Sequence, residues 1–410
     1  MEVQPHHRRG MMPVLFLCLF AIAINAVLIQ TVTTDDSSLK SAIRMGALGL
    51  VVVGIIFTNA RVTTGIILLA LYSLALLALR QNMDQLSYVF VFVLAIGMFA
   101  VEERRLEKTL MLASVGSLAL VFVLLAGHVT TDVILEPRSR HTYGTNGVPF
   151  FYNLVYGAGV MAVAYAYKYR LRFRFLVLLG SIAAASYLFQ QTDARGGYLA
   201  FVAFVVLLFI VPILARVYLF RVAVALLPAL FLLFAFYLAS LYQDDDANIL
   251  WSFRPRLFQR FFENVGLSDF FLSTSVKYFD RAVTIVDNSW IHLMVGGGAV
   301  LCLVFFIMYF RAVMNLFNAG RHVELAFIIA TCIYFNSESI MLRIENMFAI
   351  YFWYLILRYT SPLLANEGLP IEDAPAKAPK QKRVPGHHPE FKRLPDWARK
   401  PQDSMPALRR

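Results

Sequence analysis

The residues able to do chemistry gather in a few polar interruptions of an apolar chain. The longest interruption runs from Leu241 to Trp290. It carries Arg254, Arg256, Arg260 and Arg281, with Asp280, Asp287 and Asn288 close to them. In Arg254-Pro255-Arg256-Leu257-Phe258-Gln259-Arg260, Pro255 suits the first turn of a helix. Arg256 and Arg260, four apart, then share a face. A guanidinium pair beside a helix start supplies forked donors and fixed positive charge, as a diphosphate requires. The same spacing fits an interfacial amphipathic helix whose arginines meet lipid head groups. Phe258, Phe261 and Phe262 would rest against the bilayer or the rest of the protein.

Two shorter stretches have the same character. Gln191-Thr192-Asp193-Ala194-Arg195-Gly196-Gly197 ends one apolar run and opens the next. Thr192 or Asp193 can cap the following helix, and Gly196 and Gly197 allow close backbone approach. Arg195 sits where a helix N-terminus disfavours a cation, which points to anion contact. Asp287-Asn288-Ser289-Trp290-Ile291-His292 opens another apolar run. Asp287 and Asn288 are natural caps. A carboxylate near several arginines can also act as a general base toward a hydroxyl, and Asp287 is the candidate, with His292 the alternative one turn on.

These stretches must be held by membrane helices. The chain has 410 residues, 59% of them hydrophobic and 14% aromatic, with a mean hydropathy of +0.64. Its apolar runs of roughly 18–22 residues fit transmembrane helices. They lack the alternation of barrel strands. The fold class expected is an all-α polytopic membrane protein of about twelve transmembrane helices. The spans are 12–32, 42–59, 62–79, 86–101, 109–127, 149–167, 175–190, 197–215, 222–241, 287–310, 323–340 and 346–360. The first run follows His6, His7, Arg8 and Arg9 and has no small-residue cleavage site after it, so it reads as a retained helix. Cys18, Cys302 and Cys332 all fall within apolar runs, and no metal or nucleotide motif is present. No metal and no cofactor are expected. The net charge of +11 reads as cytoplasmic loops, with no nucleic-acid partner.

Lys and Arg in the short connections set the orientation. With the N-terminus cytoplasmic, the basic connections around Arg104 and Arg105, Lys168 to Arg174, Arg216 and Arg221, and Arg311 and Arg321 are inside. Both termini are then cytoplasmic, and residues 242–286 form a large external loop holding short helices. Residues 1–360 make the transmembrane domain. Residues 361–410, rich in Pro, Lys and Arg, read as a disordered tail along the anionic inner leaflet, with membrane lipids as partners. The notable polar residues fall outside: Arg138, Arg140 and His141; Asp193 and Arg195; the loop arginines; Asn336, Ser337 and Glu338; and Arg343 and Glu345. A positive-inside bias leaves those arginines to be explained, and an anion site is one explanation.

The order of these motifs resembles a known family. It runs from a Thr-x-x-Arg-Gly stretch (Thr192 to Gly196) through a large outer loop with Arg-Pro-Arg to Asp-Asn-Ser-Trp followed by Gly296-Gly297-Gly298. Together with Gly144, Asn146 and Pro149 before the sixth span, this is similar to the O-antigen ligase and O-antigen or exopolysaccharide polymerase superfamily, over roughly residues 85–360. The resemblance implies a GT-C-like, metal-independent glycosyltransferase in the bacterial inner membrane. It would transfer a glycan from undecaprenyl diphosphate to a sugar hydroxyl of the next lipid-linked repeat unit on the periplasmic side. A chain-length regulator and a flippase are partners that such a role implies. Arg195, Arg254, Arg256, Arg260, Arg281, Arg140 and Asn288 would bind the diphosphate or glycan. Where the ligases carry a histidine near the large loop's end, this chain has Asp287, which favours a polymerase. A ligase acting on lipid A core, a transporter of lipid-linked oligosaccharide and a non-catalytic scaffold are the alternatives. Spans nearly free of charge count against transport.

Overall fold

A computed structural model describes residues 11–31, 37–58, 64–82, 84–136, 139–275 and 286–360. The tail after Thr360, Arg138, Asp280 and Arg281 lie outside the described residues. All described residues belong to one unit, residues 1–367.

The chain is an all-α multi-pass membrane protein. The first eight helices are α1 (Met11–Thr31), α2 (Ser37–Thr58), α3 (Thr64–Arg80), α4 (Asp84–Phe99), α5 (Glu103–Ala126), α6 (Val148–Lys168), α7 (Arg174–Thr192) and α8 (Arg195–Leu214). Then come α9 (Tyr218–Ala225) and α10 (Leu227–Ser240), followed, among the described residues, by three short loop helices, α11 (Asp245–Leu250), α12 (Arg254–Asn264) and α13 (Leu267–Leu272). The last three are α14 (Ser289–Asn318), α15 (His322–Ser337) and α16 (Met347–Tyr359). Among the described residues each expected span overlaps a helix, and 323–340 runs past the end of α15 at Ser337. Six helices among the described residues are long and apolar enough to cross a membrane, or seven if the bent pair α9–α10 is one span. The apolar stretches in α2, α3, α4, α15 and α16 are shorter.

Burial explains the shortest of these. Every residue of α16 is buried, and so is most of α15. Exposed apolar side chains such as Phe57, Leu79, Leu176, Leu199 and Ile213 lie on α2, α3, α7 and α8 instead. A helix enclosed by other helices need not match the hydrocarbon thickness. The strands β1 (Ile134–Leu135) and β2 (Arg140–His141) form a small antiparallel hairpin between α5 and α6.

Two expected spans are not single straight helices. The run at 222–241 breaks at Leu226 with a 62° bend. Pro228 opens the second half, where its missing N–H and fixed φ do least harm. The run at 287–310 breaks at Gly298, which has φ +77° and ψ 162°. In a straight helix, residues fifteen apart lie about 22 Å apart along the axis. The Trp290 and Phe305 ring centroids are 6.2 Å apart. Residues 289–297 therefore turn back toward 299–318, and this first arm is buried in the bundle.

Breaking α14 frees backbone carbonyls, which other elements satisfy. Val295 O accepts from Thr274 N at 3.0 Å. Gly296 O accepts from Asn82 Nδ2 at 3.1 Å and from Gln85 Nε2 at 2.6 Å. Irregular backbone within a membrane bundle is tolerated only with such partners. A Cβ at Gly298 would sit 3.1 Å from Phe271 O and 3.2 Å from Ser273 N, on a φ that side chains rarely adopt. Gly298→Ala is expected to cost about 1–3 kcal/mol, read as a lower midpoint of thermal unfolding in detergent. An unchanged midpoint would show that the turn does not need glycine.

Candidate functional site

The end of the bundle that carries the long 241–288 connection is the loop end. There, stretches far apart in sequence meet around the link between α15 and α16. That link, residues 338–346, is irregular, and Ile340, Met341, Ile344, Glu345 and Asn346 are buried. Side chains from elsewhere satisfy its polar backbone. Ser289 Oγ donates to Glu338 O at 2.6 Å and accepts from Ile340 N at 3.0 Å and Met341 N at 3.2 Å. One hydroxyl thus uses its single donor and both acceptor positions. Trp353 Nε1 donates to Met341 O at 3.0 Å, and Arg254 Nη2 donates to Ser337 O at 2.9 Å.

Asp-Asn-Ser-Trp can be divided by task. Asn288 is the N-cap of α14: its Oδ1 accepts from Trp290 N and Ile291 N. Its Nδ2 donates to Asn336 O and Asn336 Oδ1, tying α14 to the end of α15. Trp290 packs on Phe231, Phe305 and Phe335. His292 Nε2 donates to Val286 O at 2.8 Å, which anchors the chain entering the arm. Asp287 is exposed and does not serve as the cap.

The Thr192–Gly197 stretch comes to the same place. Thr192 and Asp193 do not cap α8, contrary to expectation. The Thr192 hydroxyl turns back to Leu188 O at 2.7 Å. Asp193 is the left-handed C-cap of α7, and Ala194 opens α8 with no side-chain cap bond. Arg195 Nε donates to Asp193 Oδ1 at 3.1 Å while the side chain stays 64% exposed. Gly196 and Gly197 let α8 approach α15: a Cβ at Gly196 would lie 2.5 Å from Ser337 Oγ, and one at Gly197 would strike the Tyr152 ring.

The loop arginines separate by helical phase. Pro255 occupies the first turn of α12, and Phe258 and Phe261 are buried. At about 100° per residue, Arg254 and Arg256 point to opposite sides of the helix. Arg254 turns to Ser337. Arg256 is exposed and pairs with Asp245 Oδ1 at 2.5 Å. Arg260, on the Arg256 side, is exposed as well. Arg140 sits on β2, half-buried, beside His141, whose Nδ1 lies 2.5 Å from Asp132 Oδ2. No described contact joins Arg140, Arg256 or Arg260 to the α15–α16 link.

One carboxylate at this junction stands out. Glu338 follows α15 directly, half-buried. Burial, and after it the charge on Asp287, raise its carboxyl to about 7 against the pull of Arg254 and Arg343. Arg343 also stacks over the Phe150 ring at 4.8 Å, and the neighbouring Glu345 pairs with Arg44. Arg254, Arg343, Asp287 and Glu338 make a mixed-charge cluster, and Gly196 brings the backbone beside Arg195 up to Ser337 next to it, while the Arg195 side chain pairs with Asp193. An anionic phosphate and a hydroxyl nucleophile could both be held there. In the sequence Glu338 falls within the end of the expected span 323–340 and Arg343 just after it, and nothing in their spacing ties them to Arg254 and Asp287.

At the opposite end the helices close on a second set of buried charges. Lys168 Nζ lies 2.7 Å from Glu103, 2.6 Å from Glu107 and 2.8 Å from Glu324. Arg321 bonds Glu103 and Glu324 at 2.8 and 3.0 Å, and Arg358 Nη2 is 3.9 Å from Glu103. The tyrosines Tyr169, Tyr351 and Tyr359 donate to the same carboxylates. Three carboxylates balance three cations. Of these six charges only Glu324 and Arg358 fall inside the expected spans, and all six lie at or near helix ends and are mutually paired. Among the described residues no His, Cys, Asp and Glu group has the makings of a metal site, and the three cysteines are buried and free.

No family model matches the chain, and comparison with curated proteins and with solved structures also returned no match.

Proposed function

We propose that this chain is a polymerase of lipid-linked polysaccharide repeat units. It transfers a glycan from undecaprenyl diphosphate to a sugar hydroxyl of the next unit, at the loop end of the bundle. On this reading the chain crosses a bacterial inner membrane twelve times in a GT-C-like arrangement, both termini are cytoplasmic and the loop end is periplasmic. The observation that carries the reading is the meeting of four separated stretches, around Arg195, Arg254, Asp287 and Glu338, at one end of the bundle. These are the stretches on which the resemblance to the polymerase and ligase superfamily rests, with the α15–α16 link added. Arg254, Arg343 and Arg195 are the cations suited to a diphosphate leaving group. The opposite-end charges are paired at helix termini and form no series through the bundle, which favours catalysis over transport.

The test is the product that accumulates when the gene is removed. Loss of a polymerase leaves single repeat units on the lipid carrier. Loss of a ligase leaves long polymer on the carrier, and loss of a transporter leaves units facing the cytoplasm. Either of the last two outcomes overturns the reading. Orientation is tested separately with a cysteine at Ser268, an exposed position on α13. It should react with an impermeant thiol reagent in spheroplasts, while a cysteine at Ser404 should not. The native cysteines are buried and should add little background. The reverse labelling pattern would move the site to the cytoplasm.

A further inference from the structure

We propose that Glu338, at the junction built by Ser289 and Arg254, takes the proton from the acceptor hydroxyl at this site. The proposal rests on the polymerase reading and adds to it the group that the sequence left open between Asp287 and His292.

The geometry favours Glu338 over both. His292 spends Nε2 on the Val286 carbonyl and so holds the chain entering α14. Asp287 is exposed, on the chain just before α14 and outside the buried junction. Glu338 is half-buried, on backbone fixed by the Ser289 hydroxyl at 2.6 Å and by the Arg254 contact to the preceding carbonyl at 2.9 Å. The charged and titratable groups acting on or facing it are Asp287 from the chain before α14, Arg254 from α12, Arg343 from its own link and Tyr334 from α15. Burial and the Asp287 charge raise its carboxyl to about 7 against the pull of Arg254 and Arg343, which makes it a stronger base near neutral pH than an ordinary carboxylate.

The step balances without a metal or co-reactant. The acceptor hydroxyl gives its proton to Glu338 as its oxygen bonds to the anomeric carbon. The bond from that carbon to the phosphate oxygen breaks, and its electron pair leaves with the lipid diphosphate. Arg254 and Arg343 lie where that charge can be met, and Glu338 later returns the proton to water.

The test measures initial rates of polymerisation from about pH 5 to about pH 9, by the protein in lipid nanodiscs, on a lipid-diphosphate-linked repeat unit. Wild type should show a rise with a midpoint near 7. Glu338→Gln should lose roughly 10²–10⁴-fold and the rise with it. Glu338→Asp should keep a rise. Asp287→Asn removes a negative charge, so ionised Glu338 is favoured and the rise should move to lower pH. That variant keeps the falsification open should Glu338→Gln fail to accumulate. An active wild type with an unchanged Glu338→Gln profile, or an Asp287→Asn profile that does not move, overturns the assignment and leaves the polymerase reading standing. A wild type that makes no polymer from such donors overturns both.

Discussion

Arg254→Ala is expected to lower polymer formation on the order of 10²–10³-fold, the usual loss when one preorganised donor is removed from a developing anion. Protein abundance should stay near wild type. Arg254 is the loop arginine turned into the α15–α16 junction, where Nη2 holds Ser337 O at 2.9 Å and its charge reaches Glu338. Arg254→Lys should restore only part of the activity, because an ammonium cannot hold the carbonyl and a phosphate oxygen in one forked geometry. Arg256→Ala makes the contrast. That side chain is 44% exposed and its partner Asp245 is 80% exposed. A pair of that kind contributes about 0–1 kcal/mol, so activity should change little. Rates measured on the purified variants decide the matter. Equal losses at Arg254 and Arg256 would mean that the diphosphate is met by general positive charge, not by one arginine.

The second large effect lies at the opposite end. Lys168→Met should destabilise the protein by about 3–5 kcal/mol, the cost of leaving a buried charge without its partner. Lys168 contacts three carboxylates within 2.8 Å, and its removal leaves three carboxylates facing two arginines. Glu107→Gln in the same chain restores the balance while keeping the side-chain shape. The double variant should therefore recover much of the loss in a thermal melt, whereas two independent losses would add. Simple addition would show that the charges are not coupled.

The helices were legible because runs of apolar residues long enough to cross a bilayer have few other uses. The breaks were less legible. Gly296-Gly297-Gly298 sits inside an apolar run, and no local signal separates a helix that passes straight through three glycines from one that turns back on them. Helical phase was the obstacle at α12. Arg256 and Arg260 were correctly paired on one face, but only the packing of Phe258 and Phe261 decides that Arg254, on the other side, looks into the bundle. Asn288 was readable as a cap; Asp193 was not, because a left-handed residue closing α7 and a cap opening α8 present the same residue type. Glu338 and the Lys168 cluster escaped for a shared reason. A charge at or just past the end of a span looks like a solvated loop residue until the third dimension supplies burial and partners.

The turn at Gly298 also dictates an order of events as the chain is made. Residues 299–318 can enter the bilayer as soon as they emerge. The arm at 289–297 cannot settle then, because the amide of Asn288 has its partner at Asn336 and the hydroxyl of Ser289 has its partners at Glu338, Ile340 and Met341, none yet synthesised. Burying those groups alone would cost several kcal/mol. The arm must wait outside and fold inward once α15 has followed. The loop end of this protein is thus closed last, by a segment made before α15 and the link that follow it, and a chain cut short before Ser337 would lose α16 together with the link on which its polar junction is built.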